Sequence, residues 1–109
     1  MGKLNVEGRN GLTVYAYRKR NNAASLVFRR GGGHLFRLTK IVWGEQAITE
    51  LERLLTNPPA DGGIMMVESP RGRRHWVIEV IADDEGRAVL AIWEIGVQGK
   101  TLKRFSNDF

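Results

Sequence analysis

From Glu45 to Thr56 the apolar residues Ala47, Ile48, Leu51, Leu54 and Leu55 fall three and four apart, the spacing of one helical face. Elsewhere the pattern is alternation or short apolar runs, so this single stripe limits the chain to sheet with one helix laid against it. Local chemistry supports the helix. Glu45 in the first turn and Arg53 near the end both suit the helix dipole, and Glu50 reaches Arg53 at i,i+3. Asn57-Pro58-Pro59 stops it, because proline has no N–H to donate and restricts the residue before it.

Before the helix, period two prevails. Leu4 and Val6 predict a short strand, and Arg9-Asn10-Gly11 a turn, since Asn-Gly accepts positive φ. Over residues 12–19, Leu12, Val14 and Ala16 alternate with Thr13, Tyr15, Tyr17 and Lys19. After a turn at Asn21-Asn22, strands over 25–30 and 34–42 flank Gly31-Gly32-Gly33. Leu26 and Phe28 are expected inward, with Val27 and Arg29 outward. Phe36, Leu38 and Val42 are expected on one face, with Leu35, Arg37 and Thr39 on the other.

After the helix, strands are expected over 64–68, 75–82 and 88–95, with an edge strand over 101–105. In the second and third of these, Trp76, Val77, Ile78, Val80 and Ile81, and likewise Val89, Leu90, Ile92, Trp93 and Ile95, occupy both faces. That is the pattern of central strands, or of a face buried in a homodimer. The expected fold class is α+β: an antiparallel ββββ-α-βββ(β) chain, its one amphipathic helix packed on a twisted sheet. Residues 1–105 would form a single domain, with 106–109 a frayed tail.

Charge is distributed unevenly along this framework. Residues 1–44 hold nine of the seventeen Lys and Arg (Lys3, Arg9, Arg18, Lys19, Arg20, Arg29, Arg30, Arg37 and Lys40) against Glu7 alone, a sum of +8. Residues 45–62 sum to −3 and residues 63–109 to zero, which accounts for the net +5. The basic segment also carries Tyr15, Tyr17, Phe28, Phe36 and Trp43. Cations interleaved with aromatics on a sheet form a surface for a polyanion, the cations contacting phosphate and the rings stacking under bases. By alternation Tyr15, Tyr17, Lys19, Arg29 and Arg37 share one face, with Arg18 and Arg20 beside them. Two glycine-containing tips, Arg29-Arg30-Gly31-Gly32-Gly33-His34 and Pro70-Arg71-Gly72-Arg73-Arg74-His75, add arginines able to follow a phosphate backbone.

Other chemistries find little support. There is no cysteine, which excludes disulfides, thiol nucleophiles and cysteine metal sites and fits a reducing compartment. Neither a secretory apolar run nor a membrane-length stretch is present, so a soluble cytoplasmic protein without a membrane partner is expected. The glycine run is no phosphate-binding loop of the Walker type, because no Gly-Lys-Ser/Thr follows. His34 and His75 lack metal-ligand spacing, and Ser25, Ser69 and Ser106 lack a nucleophile context. Asp83-Asp84-Glu85 reads as a solvated turn. Glu79 and Glu94, inside apolar strands, read as cross-sheet partners of arginine in preference to acid/base groups. No enzyme, metal or cofactor is expected. Trp43, Trp76 and Trp93 read as core or interface anchors, Trp43 having the best claim to an accessible role.

Residues 12–56, four basic strands leading into Leu38-Thr39-Lys40-Ile41-Val42-Trp43 and the helix Ala47 to Leu55, resemble the repeat of the PUR and Whirly class of single-stranded DNA binding proteins. The resemblance implies curved sheets that bind the strand through Tyr15, Tyr17, Lys19, Arg29 and Arg37, and helices that pair two repeats. No second amphipathic helix follows the last strands, so such pairing would need a dimer.

The functional expectation is a nucleic-acid-binding protein for single-stranded or structured DNA or RNA. Its site residues would be Tyr15, Tyr17, Arg18, Lys19, Arg20, Arg29, Arg30, Arg37, Arg71, Arg73 and Arg74. The alternative is a protein-interaction module, such as a mobile-element-encoded inhibitor or adaptor, acting on an acidic or nucleic-acid-processing partner.

Overall fold

The computed structural model describes residues 3–18, 23–43, 45–96, 99 and 101–109. Eight antiparallel strands lie in sequence order in one sheet: β1 (Lys3–Glu7), β2 (Leu12–Arg18), β3 (Ala23–Arg30), β4 (Gly33–Val42), β5 (Gly63–Glu68), β6 (His75–Ala82), β7 (Ala88–Ile95) and β8 (Thr101–Asp108). The one helix, α1 (Glu45–Thr56), lies between β4 and β5. The chain is mostly sheet and broadly α+β, but its order of elements departs from expectation. A short 3-10 turn at Arg9–Gly11 separates β1 from β2, and β8 is a full eight-residue strand.

The sheet nearly divides in two. β4 meets β5 at a single pair, Val42 with Glu68, whereas the other neighbours pair along most of their length. The halves fold over one another around one core. Leu12, Val14, Leu26 and Phe28 come from the first half, Trp76, Ile78, Leu90 and Ile92 from the second, and Ile48, Leu51 and Leu54 from α1. Phe28 and Phe36 reach Phe105 of β8, with ring centroids 4.8 and 5.2 Å away.

Alternation on β2 and β3 is as the sequence predicts: Leu12, Val14, Ala16, Leu26 and Phe28 are buried. On β4 it changes phase. Between the pairs Leu26–Leu38 and Ala24–Ile41, β3 spends one residue and β4 two, and Lys40 takes the left-handed φ of 55°. This bulge turns Ile41 into the core where Val42 was expected, because one extra residue reverses every side chain beyond it. A second irregularity leaves Leu35 between the pairs formed by His34 and Phe36, partly exposed.

The expected frayed tail is also corrected. Ser106 to Asp108 belong to β8, Phe109 is 5% exposed, and its N–H donates to the Ala88 carbonyl. Its ring fills the space above Gly8, where any Cβ would come within 2.8 Å. Arg9 fastens the same corner, donating to the carbonyls of Phe109 (3.0 Å) and Ala88 (2.8 Å) and to Asp83 Oδ2 (2.8 Å).

Asp83 is therefore more than part of a solvated turn. Its Oδ1 also accepts the N–H groups of Glu85 and Arg87. The Arg87 N–H, reinforced by Arg9 and the Glu85 N–H, holds the carboxyl below the usual carboxylate range, partly opposed by desolvation. Because the folded pKa is depressed, this stabilisation is complete above the unfolded value near ~3.9 and fades as pH falls through the folded one. In thermal melts, Asp83→Asn should lose melting temperature at neutral pH, and the gap to the parent protein should close as pH falls below the usual carboxylate range. A gap independent of pH would exclude the ion pair as its cause.

Candidate nucleic-acid interface

Strand register decides which residues share the outer face of the first half. Asn5, Tyr15, Val27 and Arg37 form one cross-strand row; Glu7, Thr13, Arg29 and His34 form the next. Tyr17 sits two residues along β2 from Tyr15, opposite Lys3 and Ser25. Side chains two apart on a strand point the same way, so Tyr15, Tyr17, Arg29 and Arg37 lie on one face. A groove of about 400 Å³ beside Tyr15 and Tyr17 is bordered by Lys3 and Asn5. Arg18 closes β2, while Lys19 and Arg20 lie outside the described residues.

The glycine tip on this sheet is ordered. Gly31 and Gly32, with φ of 54° and 81°, make a two-residue turn, and Gly33 already belongs to β4. Arg29 donates to the Gly32 carbonyl at 2.8 Å. Arg30 donates to the Asn10 carbonyl (3.1 Å) and to Asn107 Oδ1 (2.9 Å), joining the two halves of the fold. These contacts give Arg30 a structural role, although its charge has no acidic partner among the described residues. Arg9, by contrast, is ion-paired with Asp83, which offsets its charge within the chain.

The second arginine tip lies at the other end of β4. Ser69 organises it: the hydroxyl accepts the N–H groups of Arg73 (3.2 Å) and Arg74 (3.1 Å), and its carbonyl accepts the Gly72 N–H (2.8 Å). Where β4 and β5 part, this turn lies against β4. Thr39, Lys40, Ser69, Pro70, Arg71, Arg73, Arg74 and Trp76 line a cleft of about 430 Å³. Arg74 packs its guanidinium 4.9 Å from the Trp76 ring centroid and donates to Glu94 Oε2 at 2.9 Å, while Arg104 Nη1 lies 3.6 Å from Oε1. Glu94 is thus an ion-pair acceptor that absorbs part of this charge. Lys40, Arg71, Arg73 and Arg37 are exposed and have no acidic partner among the described residues.

The sites expected from sequence are therefore brought together only in part. The two tips are separated by the length of β4, ten residues or roughly 30 Å at about 3.3 Å per residue. Arg37 lies between them, and Thr39 and Lys40 carry the surface into the cleft. Lys40 lines this cleft although it was not among the residues expected there from the sequence. Its one signal is a cation in a strand-like run, and nothing in that run announces the bulge that presents it.

Trp43 is 4% exposed, which removes its claim to an accessible role; its indole N–H has no partner among the described residues. Among those residues no group of three or more His, Asp or Glu could hold a metal ion, and no helix is long and apolar enough to cross a membrane. No family model, curated protein or solved structure matches this chain.

Proposed function

We propose that this protein binds nucleic acid, single-stranded or structured, with little sequence specificity, along β4. One observation carries the reading: β4 holds Arg37 in the cross-strand row of Tyr15, and Thr39 and Lys40 in the cleft that contains Arg71 and Arg73. A phosphate backbone following β4 would meet Arg37, Lys40 and then the Arg71–Arg73 turn, with bases turned towards Tyr15 and Tyr17. The helix takes no part, because Glu45, Glu50 and Glu52 against Arg53 make it a poor match for a groove lined by phosphates. The resemblance of residues 12–56 to the PUR and Whirly repeat points the same way. On this reading the protein acts by binding rather than catalysis, in the cytoplasm.

Fluorescence anisotropy with labelled single- and double-stranded oligonucleotides tests it. Tight binding at low salt should weaken steeply as salt rises. Tyr15→Ala or Arg37→Ala should each weaken it by about tenfold, as loss of one stacked base or one phosphate contact requires. Absence of binding at low salt would overturn the proposal, and an acidic polypeptide that binds where oligonucleotides do not would establish the protein-interaction alternative.

A further inference from the structure

The outer face of the second half is unlike that of the first. On β5, Ile64 and Met66 are 67% and 66% exposed, and Ile81 of β6 is 47% exposed. Register sets Met66 beside Val77, Trp93 and Lys103 in one row, and Ile64 beside Glu79, Ala91 and Ser106 in the next. The helix does not cover these residues. It packs on the inner side, where Leu54 crowds the position a Gly63 Cβ would take. Large apolar side chains left in water across neighbouring strands are uncommon on a monomer and mark an interaction surface.

We propose that this face joins two copies of the chain in a two-fold symmetric dimer. Charge is the first argument. The chain is +5 overall, and two copies meeting through the β1–β4 face would set one cationic surface against another. The β5–β8 face has Glu79 near its middle and Lys103 at its corner, so it is the side on which like chains can approach.

The second argument is the placement of those two charges. Glu79 lies on β6 in the Ile64 row, and Lys103 on β8 in the Met66 row, with β7 midway between them. A two-fold axis in the interface, crossing β7 between Ala91 and Trp93, exchanges their positions. Each Glu79 then faces the partner's Lys103, twice across one interface, while Trp93 and Ala91 meet their own copies near the axis. Within one chain Glu79 has no ion-pair partner among the described residues, and it sits between Ile64 and Ala91. A carboxylate closed into an apolar interface needs a cation, and this arrangement supplies one.

Size is compatible. Four strands about 4.8 Å apart, with about six residues of each at about 3.3 Å, give a face of roughly 15 by 20 Å. That is a planar area of roughly 300 Å², which places the dimer at the small, concentration-dependent end of the interface range. The dimer would leave the Tyr15–Arg37 face and the arginine cleft of each copy uncovered.

Sedimentation of the full chain, without nucleic acid, should give the mass of two chains at micromolar concentration. Met66→Lys should yield single chains, and its exposed position leaves the fold intact by circular dichroism. Glu79→Lys and Lys103→Glu should each weaken association by about tenfold or more, and the two together should restore it. A single-chain mass at every concentration overturns the proposal. So does a dimer that survives Met66→Lys, or one that the double exchange fails to restore.

Discussion

Replacing Phe28 with alanine should destabilise the protein by about 3–5 kcal/mol, against a total of roughly 5–15 kcal/mol for a domain of ordinary stability. The side chain is wholly buried, with its ring centroid 4.8 Å from Phe105 and 6.2 Å from Phe36. The Phe36 and Phe105 rings stack with an interplanar angle of 9°, so the three aromatics form one contact between the two halves. Truncation removes transfer energy and leaves a cavity that β8, held at its end by Phe109 and Arg30, closes only in part. Urea denaturation measures the change. Phe28→Leu should cost much less, and Leu102→Ala, at a side chain 61% exposed, should stay within about 0.5 kcal/mol. Equal losses for Phe28→Ala and Leu102→Ala would mean that the aromatic cluster does not hold the halves together.

Reversing charge at Arg71 and Arg73 together, each to glutamate, should lower oligonucleotide affinity by about a hundredfold or more at physiological salt. Each charge-assisted bond to phosphate contributes about 1.5–3 kcal/mol, and the introduced carboxylates add repulsion. The slope of log affinity against log salt should become shallower by about 1.4 for a single strand, corresponding to two lost phosphate contacts. Stability should barely change, because neither side chain has an acidic partner among the described residues and Ser69 holds the turn through backbone N–H groups. Arg74→Ala gives the contrasting result: it removes the Glu94 pair and the Trp76 contact, so it should lower stability as well as affinity. If the Arg71/Arg73 variant keeps both the parent affinity and the parent salt slope, the cleft lies outside the binding surface.

The parts of this structure that were legible in the sequence are those fixed by neighbouring residues. Leu12, Val14 and Ala16 alternate, Leu51, Leu54 and Leu55 recur on one helical face, and Asn57-Pro58-Pro59 blocks continuation, so the bounds of α1 agree with the reading. What escaped depends on distant partners. Ile41 replaces Val42 in the core because Lys40 adopts a positive φ, and lysine gives no warning of that conformation. Phe109 is buried because Gly8, near the other end of the chain, has no side chain. Arg9 and Arg30 are tied into the fold by carbonyls, an asparagine and, for Arg9, the carboxylate of Asp83, partners distant in sequence that no local count of charge reveals. Ser69 carried no signal beyond its presence in a turn, yet it fixes where Arg71 and Arg73 begin.

The single rung between Val42 and Glu68 has a consequence for how the chain finds its fold. Every strand pairs with its neighbour in sequence, so nearly all hydrogen-bonded pairing requires only short loops to close. Contact order within each half is low for a protein made mostly of strands, and each half can zip as successive hairpins. The search over long chain separations is concentrated in one event, the docking of the halves that brings Phe28 to Phe105 and Arg9 to Phe109. Folding speed is therefore governed by side-chain packing across that seam, with little demand on backbone registration between distant strands.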